Sequence, residues 1–266
     1  MNVTPFVKQL LIINIVFFIG SQLVPMANEY FALYYFENTS FRFWQPLTSM
    51  FMHANLMHIF FNMFALYSFG SALEHFWGGN KFLFFYISCG LGSAFLHILE
   101  NYFQIHALID SVSSLNLSPS DLKYLLNADL SSVFDESNKM IPSAVKTILD
   151  AAQCSQEQYN NLAEANAMVR STAVGASGAI YGLLVAFAFM FPDAKLGIMF
   201  IPIPIKAMYF VPALLCLDLF LGFKGGSLFG AGSTGIAHFA HIGGAITGFI
   251  MMWFWKKNQF NKNRWN

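Results

Sequence analysis

The chain reads as an all-α membrane protein, a bundle of six transmembrane helices with a helical extramembrane insertion between helices three and four. Three observations point there. Of 266 residues, 56% are hydrophobic and only 11% charged, against about 25% charged in a soluble domain. Six apolar stretches reach or approach the roughly 20 residues an α-helix needs to cross a hydrocarbon core. A single long polar stretch interrupts them.

The predicted spans are Phe6–Pro25, Asn55–Trp77, Lys81–Phe103, Ser177–Phe191, Ile205–Gly222 and Gly235–Trp255. Residues 1–103 then carry helices one to three, 104–172 the insertion, 173–255 helices four to six, and 256–266 a basic tail. No Ala-x-Ala-like cleavage site follows the first apolar run, which reads as a retained helix. Six spans place both termini on one side. Lys256, Lys257, Lys262 and Arg264 in the tail make that side cytoplasmic by the positive-inside rule, and Lys8, Lys81 and Lys195 share it. The compact core without long signalling extensions suggests a bacterial inner membrane. The thirty-one Phe residues suit a lipid-facing surface.

Zero formal net charge offers no footprint for nucleic acid. Cys89, Cys154 and Cys216 are unclustered, which indicates neither a disulfide framework nor a thiolate metal site. No metal, nucleotide or other cofactor is implied.

The insertion carries an acidic balance suited to the outer face, and its local signals are helical. Ser118-Pro119 is an N-cap followed by an N1 proline, and Ser155-Gln156-Glu157-Gln158 fits a capping box. Val145, Ile148, Leu149 and Ala152 recur at i, i+3, i+4, i+7, a short apolar stripe.

The fourth span is short: Ser177 to Phe191 covers about 22 Å at 1.5 Å per residue, against a core about 30 Å thick. With Pro192 at the cytoplasmic face, Ser177 lies below the opposite surface. Irregular backbone at that depth must be buried in protein or line a wet cavity. Gly175 and Gly178 permit the turn and close packing, and the free N–H groups of the helix start face the cavity. Gly-x-Ser-Gly alone serves equally well as a small-residue packing motif.

His58 and Asn62 are spaced i, i+4 and share a helix face. Polar groups at membrane depth are costly and usually functional, and both can donate hydrogen bonds, although a structural bridge between helices would use the same pair. His53 lies about 140° round the helix from His58, at the helix mouth. In the sixth span, His241, Gly244 and Gly248 form one stripe whose glycines admit a neighbouring backbone. His238 precedes His241 by one turn on a similar face. Tyr181, one turn below Ser177, is placed to stack on an imidazole.

Three motifs together resemble the rhomboid family of intramembrane serine proteases: His53-x4-His58-x3-Asn62, Gly175-x-Ser177-Gly178-x2-Tyr181 and Ala240-His241-x2-Gly244-x3-Gly248. They stand in the family's order on spans two, four and six. The resemblance implies Ser177 as nucleophile and His241 as its general base, with His58, Asn62 and the Ser177 amide forming an oxyanion hole. Tyr181 would stack beside His241, and Gly175 would lie in the turn feeding the catalytic helix. The implied partners are transmembrane-helix protein substrates within the lipid bilayer.

This chain departs from the family in having Trp44-Gln45 where many members carry Trp-Arg, and in its long insertion. No acid adjoins His241 in sequence. Asp218, near the outer end of the fifth span, can supply one, but packing and Tyr181 are the favoured means of orienting a Ser–His dyad. The Gly-rich segment from Gly222 through Gly235 reads as a mobile lid over the outer opening. A metal site built on His53, His58, His238 and His241 fails on ligand spacing. A proteolytically inactive, client-binding relative is the serious alternative.

Overall fold

The computed structural model describes residues 3–136, 139–198, 201–224 and 237–260. Its α-helices in chain order are α1 (Pro5–Leu23), α2 (Met26–Phe31), α3 (Gln45–Thr48), α4 (Leu56–Ala65), α5 (Ser71–Trp77), α6 (Gly79–Ser111), α7 (Pro119–Asn127), α8 (Ala144–Ala151), α9 (Gln156–Arg170), α10 (Ser177–Met190), α11 (Ala207–Lys224) and α12 (His238–Phe260). They fall into two compact units. The first comprises Met1–Ala32, Trp44–His97 and Ala173–Asn266, and the second Leu33–Phe43 with Ile98–Thr172.

The first unit is the apolar bundle. Pro5–Leu23, Leu56–Trp77, Gly79–Ser111 and Ala207–Lys224 are long and apolar enough to cross a membrane, whereas Ser177–Met190 is apolar but shorter. This is an integral membrane protein. A π-helical turn at Leu66–Gly70 joins α4 to α5, so the second predicted span is one interrupted rod.

The third span continues beyond Phe103, because α6 runs on to Ser111. The fifth starts later than Ile205. That residue belongs to an antiparallel hairpin in which Lys195–Ile198 pairs with Ile201–Lys206. Pro202 and Pro204, two residues apart, both lack the N–H that a helix turn would use, and α11 begins only at Ala207, with the single Pro212 accommodated inside it. Two of its free N–H groups are satisfied locally: Ala207 donates to the Ala194 carbonyl at 2.9 Å and Met208 to that of Pro192 at 3.1 Å.

One end of the bundle is fixed by a buried carboxylate. Glu74, buried in α5, accepts hydrogen bonds from Thr4 Oγ1, from Phe6 N at 3.0 Å and from Val7 N at 2.8 Å. A carboxylate there both caps α1 and complements its dipole. Gly79 lies against the Phe6 ring, and the Lys81 ammonium sits 4.1 Å from the centre of the Trp255 ring. The start of α1, the end of α5, the start of α6 and the end of α12 therefore meet at one end. Phe191, closing α10, packs on Phe76 at the same end, which leaves Ser177 at the far end of its helix.

In the second unit two helix starts follow the capping signals: Ser118 and Ser155 each accept from the backbone N–H three residues on, and Ser155 with Gln158 completes the capping box. Ser143 caps α8 in the same way. Val145 and Leu149 of the apolar stripe are buried with Val112, Leu115, Leu125, Val133 and Leu162. A second cluster gathers Tyr35, Ile105, Leu126, Ala165 and Val169. Asp129 accepts from Ser131 and from Arg170 at 3.0 Å, and these bonds hold its carboxyl below the usual aspartate range. Residues 137–138 lie outside the described part of this unit, as do Gly225–Gly235 of the expected lid and the tail from 261 in the other. Gly222 and Lys224, assigned to that lid from sequence, are still helical at the end of α11.

Candidate active site

The site begins with a turn that only glycine adopts comfortably. Gly175 has φ +126°, a region closed to residues bearing a Cβ. Its N–H donates to the Ser49 carbonyl at 2.9 Å, pinning the loop before α10. A Cβ at Gly175 would also stand 2.8 Å from both Cε1 and Nε2 of His58. The turn therefore brings the His58 imidazole edge-on to the start of α10, where Ser177 is the first helical residue.

Helix packing then sets the distance between Ser177 and His241. A Cβ on Gly244 would fall 1.8 Å from the Gly178 carbonyl oxygen, and one on Gly248 would fall 2.8 Å from Gly182 Cα. Helices α10 and α12 thus touch backbone to backbone along the Gly178/Gly182 and Gly244/Gly248 rows, as small-residue stripes allow. On the other flank of α10, Gly178 and Gly182 receive Ser93 and Cys89 of α6 just as closely.

At that approach Ser177 Oγ lies 2.9 Å from His241 Nε2. The Tyr181 ring stacks on the His241 imidazole with centroids 4.2 Å apart and planes inclined by 14°. Asn62 is buried in α4, and its Nδ2 has no hydrogen-bond partner. A buried donor left unpaired ordinarily costs about 1–3 kcal/mol, so its persistence suits a group reserved for a ligand oxygen. His58 Nδ1 accepts from Ala54 N at 3.4 Å, which assigns the ring proton to Nε2, the edge facing Gly175. The α4 start is set by Asn55, whose side chain accepts from His58 N at 2.9 Å. His53 is buried just before it and meets the His58 ring edge-on at 5.1 Å.

Ser177, His241, Tyr181, His58, Gly175, Gly244 and Gly248 are thus brought together, with Asn62 one turn below His58 on α4. The structure adds two residues that the motifs do not contain. Asp218 of α11 is buried, with Oδ1 2.6 Å from His238 Nδ1 and Oδ2 3.4 Å from His241 Nδ1. A lone acid in an apolar span was the available signal. Sequence offers Asp218 as an acid for His241 without fixing the pairing, because the rotational phase of α11 against α12 is not written in either helix. Asp218, His238 and His241 also form a compact set of possible metal ligands, but their closest contacts already pair the carboxylate with the two imidazoles.

A bundle of apolar helices in which a serine at the start of a short helix meets a histidine of a second helix defines a class of polytopic membrane protein. The sequence profile described as Rhomboid domain matches residues 40–107 and 147–258. The chain belongs to the rhomboid family. Among curated proteins it is similar to the rhomboid protease GluP of Bacillus subtilis (strain 168), with 38% identity over 48 residues. That match covers 18% of this chain and only 10% of the relative.

Proposed function

We propose that this protein is an intramembrane serine endopeptidase that hydrolyses peptide bonds in or beside transmembrane helices of membrane-protein substrates. The observation that carries the reading is the 2.9 Å contact between Ser177 Oγ and His241 Nε2, with His241 held flat by Tyr181. A serine hydroxyl becomes a competent nucleophile when an adjacent base takes its proton. In this scheme His241 Nε2 removes the Ser177 proton as Oγ attacks the scissile carbonyl. The proton then passes to the leaving amine, and water repeats the sequence on the acyl-enzyme.

The tetrahedral oxyanion needs donors aimed at one point. The Ser177 amide at the open start of α10, the unpaired Asn62 Nδ2 and His58 Nε2–H are the candidates. No step requires a metal or cofactor. Membership of a family with a relative named as a protease supports the chemistry. The substrates, the bacterial inner membrane and the cytoplasmic placement of both termini are part of the same proposal.

The test is a fluorophosphonate probe on the purified, reconstituted chain, with turnover of a model transmembrane substrate followed in parallel. Covalent labelling that disappears in Ser177→Ala, together with cleavage, is the expected result. A folded wild-type protein that neither labels nor cleaves would instead be the inactive, client-binding member.

A further inference from the structure

We infer that Asp218 is a positioning residue for His241, so that the proposed dyad works as a Ser177–His241–Asp218 triad with His238 steadying the carboxylate. This rests on the proposed serine-protease reading. The argument starts from two buried atoms. Asp218 Oδ2 and His241 Nδ1 each lack a hydrogen bond, yet they lie 3.4 Å from one another. Buried polar atoms are paired in the great majority of cases, and here each is the other's available partner. The separation exceeds a good N–H···O bond by a few tenths of an ångström, and catalytic hydrogen bonds are often long before substrate binds.

The second carboxylate oxygen explains why Asp218 stays in place. Oδ1 is held by His238 Nδ1 at 2.6 Å, and both side chains are about nine-tenths buried. Two successive turns of α12 therefore meet Asp218, one through His238 and one through His241.

The chemical consequence concerns the tautomer. A carboxylate beside Nδ1 favours the form of neutral His241 that carries its proton there, leaving the Nε2 lone pair toward Ser177. After proton transfer the same carboxylate faces the imidazolium. No proton need reach Asp218.

The experiment uses the full chain in proteoliposomes. Asp218→Asn keeps an oxygen for His238 but removes the charge. It is expected to lower kcat by up to about 10⁴, the loss seen when a triad acid is replaced by its amide, with KM and Tm near wild type. Fluorophosphonate labelling of Ser177 should slow in parallel, and Asp218→Glu should recover part of the loss. His238→Ala removes the brace but leaves the carboxylate beside His241, and its effect should be far smaller. Nitrogen-15 spectra of the histidines should show Nδ1–H at His241 in the wild type and a shifted tautomer balance in Asp218→Asn.

Wild-type kcat in folded Asp218→Asn would overturn the inference, as would equal losses in Asp218→Asn and His238→Ala tracking a common fall in Tm, the mark of an interhelical brace. If the wild type shows no labelling or cleavage, it is the protease reading that fails. The histidine spectra then still decide the pairing, because an unchanged His241 tautomer in Asp218→Asn would refute it without any activity measurement.

Discussion

At the residue scale, the polar groups of the site divide by whether each has a partner. Ser177 Oγ and His241 Nε2 satisfy one another at 2.9 Å, whereas Asn62 Nδ2 has no partner. The first two form one proton-transfer unit, so Ser177→Ala and His241→Ala are each expected to abolish turnover of a reconstituted substrate while leaving Tm near wild type. Asn62→Ala removes one oxyanion donor among several, and losing one such donor commonly costs about 10²–10³ in kcat. Residual cleavage in that range is expected. Wild-type kcat in Asn62→Ala would remove Asn62 from the oxyanion site.

At the element scale, two features hold the helices that carry these groups. The first is the contact of α10 on α12. Gly244 leaves no space for a methyl group, since its Cβ would meet the Gly178 carbonyl at 1.8 Å. Gly244→Ala must push the helices apart, and a misplacement of 1 Å in such a site can cost about 10²-fold in rate. Turnover should fall by that order, whereas Gly20→Ala, where a Cβ meets nothing within 4 Å, should leave it intact. Equal turnover in the two variants would show that helix spacing does not set the Ser177–His241 distance. The second feature is Glu74 at the opposite end. Glu74→Ala strips three hydrogen bonds from the start of α1. Leaving those donors unmatched should cost about 1–3 kcal/mol of stability, read as a lower Tm with Ser177 still able to label.

At the scale of the whole molecule, the chain has two sets of buried clusters, one in each unit. Leu162 and Leu149 belong to the insertion's own core, while none of the residues assigned to catalysis does. Leu162→Ala should therefore destabilise the second unit by about 2–5 kcal/mol, as buried leucine truncations do. Hydrogen exchange should quicken across α7–α9 and stay slow in α10 and α12, with fluorophosphonate labelling of Ser177 retained. Loss of labelling alongside global exchange would mean that the two units unfold as one.

Much of this was legible in the amino-acid order. Apolar runs mark the membrane helices, the short α10 among them, because a hydrocarbon environment demands them, and Ser118 and Ser155 start insertion helices because a hydroxyl three residues upstream satisfies a free N–H. The spacings of His58 with Asn62 and of His241 with Gly244 and Gly248 place each set on one helix face by the 3.6-residue period alone. Boundaries were less secure at Ile205, where alternating prolines favour a hairpin over continued helix, and at Phe103, where polar residues extend α6 beyond the apolar run. What only the tertiary structure decided is which faces meet. Glu74 reaches Thr4, and Asp218 stands between His238 and His241, through packing between helices far apart in the chain. A helix's own sequence specifies which residues share a face. The rotation and depth at which that face meets a neighbour are set by side-chain volumes on both sides, here by glycines that let α10 and α12 close to backbone contact.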